Sequence, residues 1–294
     1  MAAALVLRSI LVPVDGSASS DRALHLALQL VPWDGELIVV HVSERPAHGE
    51  RLDAGGHTGS APEPPEREIL LRASETARAA GVAFATVLLN GSAVSCITLL
   101  AANQNVDAIV MGTHGRTGLA RMMMGNTAAG VMREACVPIF VVHEQGLEIP
   151  AHPCRTIVAG LDGSAAASQA ARAAVDLAWG DDGRVVFAHV TSATDDRGET
   201  DFFAKAAAYA AAMGVPSERV LLHGEPVDAI VNSAQACHAD MIVIGGPKQL
   251  RNPFGAGSTA HAIVRLSHVP VLVVHVPVSD PSLRVTAGGE SASC

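Results

Sequence analysis

Short apolar runs alternate with longer stretches of mixed apolar and polar residues along the whole chain. In the first half the runs fall near 8–14, 36–42, 83–89, 107–112 and 138–143, and most are nearly continuous in Val, Ile, Leu and Ala. Continuous apolar character, in place of strict alternation, is what strands show when both faces of their sheet are covered. Between them, Ala-rich stretches near 19–31, 66–80, 93–104 and 126–135 carry apolar residues at helical spacing. Strands and helices in strict alternation predict the α/β class with a doubly wound, Rossmann-like parallel sheet. Ligands of such sheets sit beyond the carboxyl ends of the strands, where strand order reverses. The loops after the first and fourth strands therefore merit the closest reading.

The pattern occurs twice. SILVPVDGS at 9–17 returns as TIVAGLDGS at 156–164, VDAIVMG at 106–112 as ADMIVIG at 239–245, and VPIFVVH at 137–143 as VPVLVVH at 269–275. Three matched blocks in one order mark a tandem duplication. We place the first domain at 1–146 and the second at 153–278, with the segment from Glu144 to Arg155 linking them. The first offset is 147 residues and the later ones 133 and 132, so copy one holds an insertion before the shared glycines Gly91 and Gly224. It runs from Glu44 to about Pro65, is rich in Pro, Gly, His and charge, and reads as a tolerated surface loop more than as a functional lid. The tail at 279–294 has the composition of a disordered end.

At 294 residues, 49% of them hydrophobic, each copy has enough apolar material for its own core. The formal charge of −9 opposes adhesion to nucleic acid or anionic lipid. No apolar run reaches the roughly 18 residues of a membrane span, and the N-terminus lacks the basic region of a signal peptide. Five widely spaced cysteines without a C-x-x-C indicate neither a disulfide framework nor a zinc site, which fits a reducing cytoplasm. Thirteen histidines show no tight ligand spacing, so a dedicated metal centre is not expected. His143 and His275 close equivalent strands and read as ordinary strand-end histidines, with a meeting across an inter-copy interface as the sharper alternative.

After the fourth strand, MGTHGRTGLARMMMGNT at 111–127 places glycines at 112, 115 and 125, the last opening a helix. Lacking Cβ, such glycines let backbone N–H groups approach an anion, and the helix start adds unpaired donors and a positive dipole end. Asn126 and Thr127 stand where capping side chains are favoured. A glycine-rich turn with an ordinary cap fits the spacing equally well, but Arg116 and Arg121 put two cations into the loop of an acidic chain and favour an anion. After the first strand, Asp15-Gly16-Ser17 reads first as a strand-to-helix turn with a cap. Its position next to the glycine loop also suits Asp15 to a ribose hydroxyl or a phosphate-bound metal.

These residues together resemble the universal stress protein family, over the whole of each copy. Gly112, Gly115 and Gly125 match the three glycines of the G-x2-G-x9-G-[ST] loop of its ATP-binding branch, with Asn126 standing in place of Ser or Thr. The opening ILVPVDGS, the HV of the second strand, Gly91 before a helix and the closing VPIFVV match in order. The resemblance implies that Pro13, Val14 and Asp15 line the adenosine end and that Val42 touches the base. It implies that Met111, Gly112, Gly115, Arg116, Gly125, Asn126 and Thr127 surround ribose and phosphates of ATP, with Mg2+ as its companion. It further implies closing strands that pair between domains, hence an intramolecular pseudo-dimer able to dimerise again, and a protein partner the sequence does not identify.

Copy two departs from the loop pattern. Its loop, GGPKQLRNPFGAGST at 245–259, has Lys248 in place of the second glycine, two prolines without N–H donors, and one residue fewer before Gly257. Gly245, Gly257, Ser258 and Thr259, with Asp162 at the end of the first strand of this copy, are its candidate contacts. Whether they hold nucleotide stays open, and weaker binding than in copy one is expected. Three functions compete: a nucleotide-dependent regulatory module in stress response without dedicated catalysis, a slow Mg-dependent ATPase, and a sensor of AMP or cyclic AMP. No Walker-type Gly-Lys-[Ser/Thr] or evident catalytic base supports the second.

Overall fold

The computed structural model describes residues 5–43, 64–113, 124–144, 146, 148–191, 199–246 and 259–275. The insertion up to residue 63, the middle of the copy-one glycine loop with Gly115, Arg116 and Arg121, the copy-two loop with Gly257 and Ser258, and the tail lie outside these residues.

Copy one runs β1 (Ser9–Pro13), α1 (Ala18–Leu30), β2 (Glu36–Ser43), α2 (Pro64–Ala79), β3 (Ala83–Asn90), α3 (Ala93–Asn103), β4 (Ala108–Gly112), α4 (Asn126–Glu134) and β5 (Ile139–Val142). Copy two repeats the series as β6 (Thr156–Leu161), α5 (Ala165–Gly180), β7 (Arg184–Thr191), α6 (Glu199–Met213), β8 (Ser217–His223), α7 (Pro226–Ala236), β9 (Met241–Gly245), α8 (Thr259–Leu266) and β10 (Val271–Val274). The amphipathic stretches and apolar runs fold as their periodicity predicts, with ends displaced by a residue or two.

Strand order is β3-β2-β1-β4-β5-β10-β9-β6-β7-β8 in one continuous sheet. Pairing within each copy is parallel, and β5 meets β10 antiparallel with Phe140 opposite Leu272 and Val141 opposite Val271. The two closing strands thus supply each other's backbone partners, which removes an exposed edge from each copy. Alternate residues of this seam enter two cores shared by both copies. Phe140 and Leu272 join the layer under α1, α2, α5 and α6, while Ile139, Val141, Val271 and Val273 join the layer under α3, α4, α7 and α8.

The repeated aspartates before β4 and β9 have a structural use. Asp107 Oδ2 accepts the backbone N–H groups of Arg8 and Ser9, and Asp240 Oδ2 accepts that of Thr156, each at 2.8 Å. They tie the beginning of each copy's first strand to its central neighbour. No helix among the described residues is long and apolar enough to cross a membrane.

Candidate functional site

Within each copy the order 3-2-1-4-5 reverses between the first and fourth strands, and a cavity of about 780 Å³ opens there in copy one. Its lining brings together Pro13, Val14 and Asp15 from the end of β1, Val42 from β2, Met111 and Gly112 from β4, and Gly125, Asn126 and Thr127 at the start of α4. These are nine of the copy-one positions singled out in the sequence. Ser20, His41, Thr113 and Glu66 line the cavity as well. His41 carried a signal in the HV of the second strand, whereas Glu66 becomes a wall only because α2 packs over this end of the sheet.

Local chemistry fixes the β1 turn. Gly16 sits at φ +78° and its counterpart Gly163 at +75°, a left-handed conformation that favours glycine. Asp15 Oδ1 accepts the Ser17 N–H at 3.0 Å and the Ser17 hydroxyl at 2.6 Å, and Asp162 Oδ1 accepts the Ser164 N–H at 2.9 Å. Ser17 then caps α1 through the N–H of Ser20, and Ser164 caps α5 through that of Ala167. The turn-and-cap reading of Asp15-Gly16-Ser17 is therefore realised, while the same carboxylate lines the cavity. Across the strand ends, His41 Nδ1–H donates to the Val14 carbonyl at 2.7 Å, as His189 does to Leu161 at 2.6 Å.

The start of α4 differs from the capped helices and from the sequence expectation. The N-cap is Gly125, in extended conformation, which has no side chain to bond the first-turn N–H groups. Asn126 and Thr127 are thus the first two helical residues and not the cap. Gly125 donates its own N–H to the Thr113 carbonyl at 2.8 Å, which closes the ends of the glycine loop against each other. The N–H groups of Asn126 and Thr127 belong to the orphan donors that every helix start presents, and here that start faces the cavity.

In copy two, Asp162 follows β6, Gly245 ends β9 and Thr259 begins α8. The position of Pro13 is taken by Gly160, and the Cδ1 of Ile230 and Cγ2 of Ile244 stand 3.2 Å from where a Cβ there would lie. The side chains of this copy have closed over space that a proline ring occupies in the other.

A polar chain leads from the copy-one cavity across the seam. His143 Nε2–H donates to the carbonyl of Val264 in α8, and its Nδ1 is hydrogen-bonded with the Thr113 hydroxyl at 3.4 Å. The mirror contact is His275 Nε2–H to the Met132 carbonyl of α4 at 2.8 Å. Both histidines cross between copies, so neither is the ordinary strand-end residue first read, and each reaches a helix rather than the other histidine. Gly246 replaces Thr113 in the second copy, and His275 Nδ1 is buried with no hydrogen-bond partner among the described residues.

Burial, partly offset by backbone hydrogen bonds, holds the His275 imidazole below its ordinary value. As pH falls through about 6.5 the unfolded imidazole takes up a proton that the native one resists, so the native state loses stability toward acid. Replacing His275 by Gln is expected to flatten the fall in stability between pH 7 and pH 5 in denaturant titrations. An unchanged slope would contradict this assignment.

The universal stress protein family model matches residues 7–143 and 153–275, covering both copies. Universal stress protein Rv2005c of Mycobacterium tuberculosis is 26% identical over 289 residues, 90% of this chain and 96% of that protein. Universal stress protein Rv1636 of the same organism is 32% identical over 143 residues, 46% of this chain and 96% of its own. A universal stress protein from Archaeoglobus fulgidus shares the fold with a TM-score of 0.68 at 20% identity, over 92% of this chain and 98% of that one. By the match to both halves, the chain belongs to the universal stress protein family.

Proposed function

We propose that copy one binds an adenine nucleotide, ATP with Mg2+ in first place, and that its occupancy serves regulation in a stress response and not a dedicated reaction. The observation carrying this reading is the convergence of the β1 end, the β4 glycine and the uncapped start of α4 on one cavity. A helix start stabilises an anion by roughly 0.3–1 kcal/mol, and up to about 2 where water is partly excluded. Gly112, whose missing Cβ makes room for Ser19 of α1, lines the cavity with its backbone, while Val40 and Val42 offer an apolar wall for a base.

Asp15 and Glu66 place two carboxylates in the same lining, and a phosphate beside them meets like charge. Oxygen ligands of this kind suit Mg2+, which would screen Asp15 from the phosphates. Arg116 and Arg121 in the glycine loop would add cationic contacts. Asn126 supplies an amide where the related loop has a hydroxyl, so the phosphate nearest it would be held by a different donor set.

Competition among Mg-ATP, AMP and cyclic AMP for the purified protein tests the choice of ligand. Tighter binding of ATP is expected, since contacts to several phosphates accumulate. Preference for AMP or cyclic AMP would turn the reading toward a monophosphate sensor. Turnover of ATP above background that Asp15→Ala abolishes would turn it toward a hydrolase.

A further inference from the structure

We propose that the groove between α5 and α6 in copy two is a second ligand site, built for a small aromatic carboxylate. A cavity of about 280 Å³ lies there, floored by Ala167, Ala171 and Ala206 and walled by the rings of Phe202 and Tyr209. Arg172 and Lys205 also line it, two cations in a chain whose formal charge is −9.

Comparison with copy one shows how the groove acquired this character. Ser17 caps α1 as Ser164 caps α5, and Gly16 faces Ile69 of α2 as Gly163 faces Phe202 of α6, which aligns the two helix pairs. In that alignment Asp21 corresponds to Ser168 and Arg72 to Lys205. In copy one Arg72 bridges from α2 to Asp21 of α1 at 2.9 Å. In copy two the carboxylate of that pair is gone. Lys205 turns to Asp201 on its own helix, with both side chains 75% exposed, a pairing of small worth that a better anion can displace.

Arg172, in the position of His25, lies over the Tyr209 ring at 4.4 Å and makes no ion pair among the described residues. The nearby acid is already committed. Asp176 accepts the Tyr209 hydroxyl on Oδ1 at 2.7 Å and the Leu5 N–H on Oδ2 at 2.8 Å. These bonds hold the ring in place, and the ring in turn holds the guanidinium at the groove.

The chemistry of the occupant follows from the walls. Two cations at the groove select an anion, and a guanidinium pairs a planar carboxylate through two parallel hydrogen bonds. Aromatic walls over a floor of methyl groups favour a flat apolar body, and the volume admits one or two rings. Leu161 and Gly163, on either side of Asp162, line the groove while Gly245 and Thr259 do not, so it lies beside the β6 turn of copy two and apart from the copy-one cavity.

Tyr209 is the one tyrosine in the chain, so 3-fluorotyrosine incorporation yields a single fluorine resonance at this site. In the full-length protein, titration with 2-naphthoate is expected to shift that resonance saturably, with 2-naphthamide much weaker and saturating Mg-ATP without effect on the titration. Ser168→Asp restores the carboxylate of copy one beside Lys205 at an exposed position and is expected to weaken the probe at least tenfold with thermal stability kept. Arg172→Gln is expected to weaken it likewise. Absence of a saturable shift in the millimolar range would overturn the proposal. So would equal binding of the amide, competition by Mg-ATP, or indifference to Ser168→Asp.

Discussion

Gly112→Val is expected to abolish nucleotide binding in copy one and to destabilise the protein, whereas Gly245→Val is expected to destabilise it and leave that binding intact. A Cβ at Gly112 would lie 2.4 Å from Ser19 Oγ and 2.8 Å from the Ser19 carbonyl carbon. At Gly245 it would lie 2.7 Å from the Ala167 nitrogen and 2.8 Å from the Ala166 carbonyl carbon. In both copies the obstacle is helix backbone, so α1 or α5 must move off the sheet, and overpacking of this kind costs about 1–3 kcal/mol. In copy one the same shift disturbs the cavity from two sides, because Gly112 and Ser20 both line it. Loss of two charge-assisted hydrogen bonds, about 1.5–3 kcal/mol each, lowers affinity by on the order of 100-fold or more. Calorimetric titration with Mg-ATP alongside urea denaturation separates the effects. Equal loss of binding in the two variants would contradict the assignment to copy one.

Phe140→Ala is expected to lower stability by about 3–5 kcal/mol and to do so in a single unfolding transition. Phe140 is fully buried on β5, stands opposite Leu272 of β10, and enters a core to which α1 and α5 both contribute. Removing the ring leaves a cavity at the seam where neither copy can relax alone. Leu272→Ala is expected to act on the same contact, so a double-mutant cycle between the two should show coupling of roughly 0.5–3 kcal/mol. Two separate transitions, with only one shifted, would show copies that fold independently of the seam.

Much of this architecture was legible in the sequence because local pattern and tertiary environment agree. The continuous apolar runs became strands, buried through the middle of the sheet and largely exposed only at its edge strands β3 and β8, and the repeated blocks became matching strands and turns. Nine copy-one positions converge on one cavity because the parallel order brings the ends of β1 and β4 side by side. What escaped the sequence depends on contacts between distant segments. Asn126 and Thr127 have the chemistry of caps, yet the bond from Gly125 to Thr113 starts the helix one residue earlier. The crossing of His143 and His275 to helices of the opposite copy requires the antiparallel seam to be known first. The groove of Arg172, Lys205 and Tyr209 shows no motif at all. It emerges only when α5 and α6 are laid over α1 and α2 and the exchange of Asp21 for Ser168 is seen to unmake an ion pair.

Nucleotide binding by copy one is the claim on which the functional reading stands, and calorimetric titration of nucleotide-free protein with Mg-ATP tests it most directly. Gly115→Val, which adds bulk within the glycine loop, serves as the comparison. The expected result is saturable binding by the unaltered protein at one strong site, lost in the variant. Absence of binding of any adenine nucleotide to the unaltered protein would contradict the account.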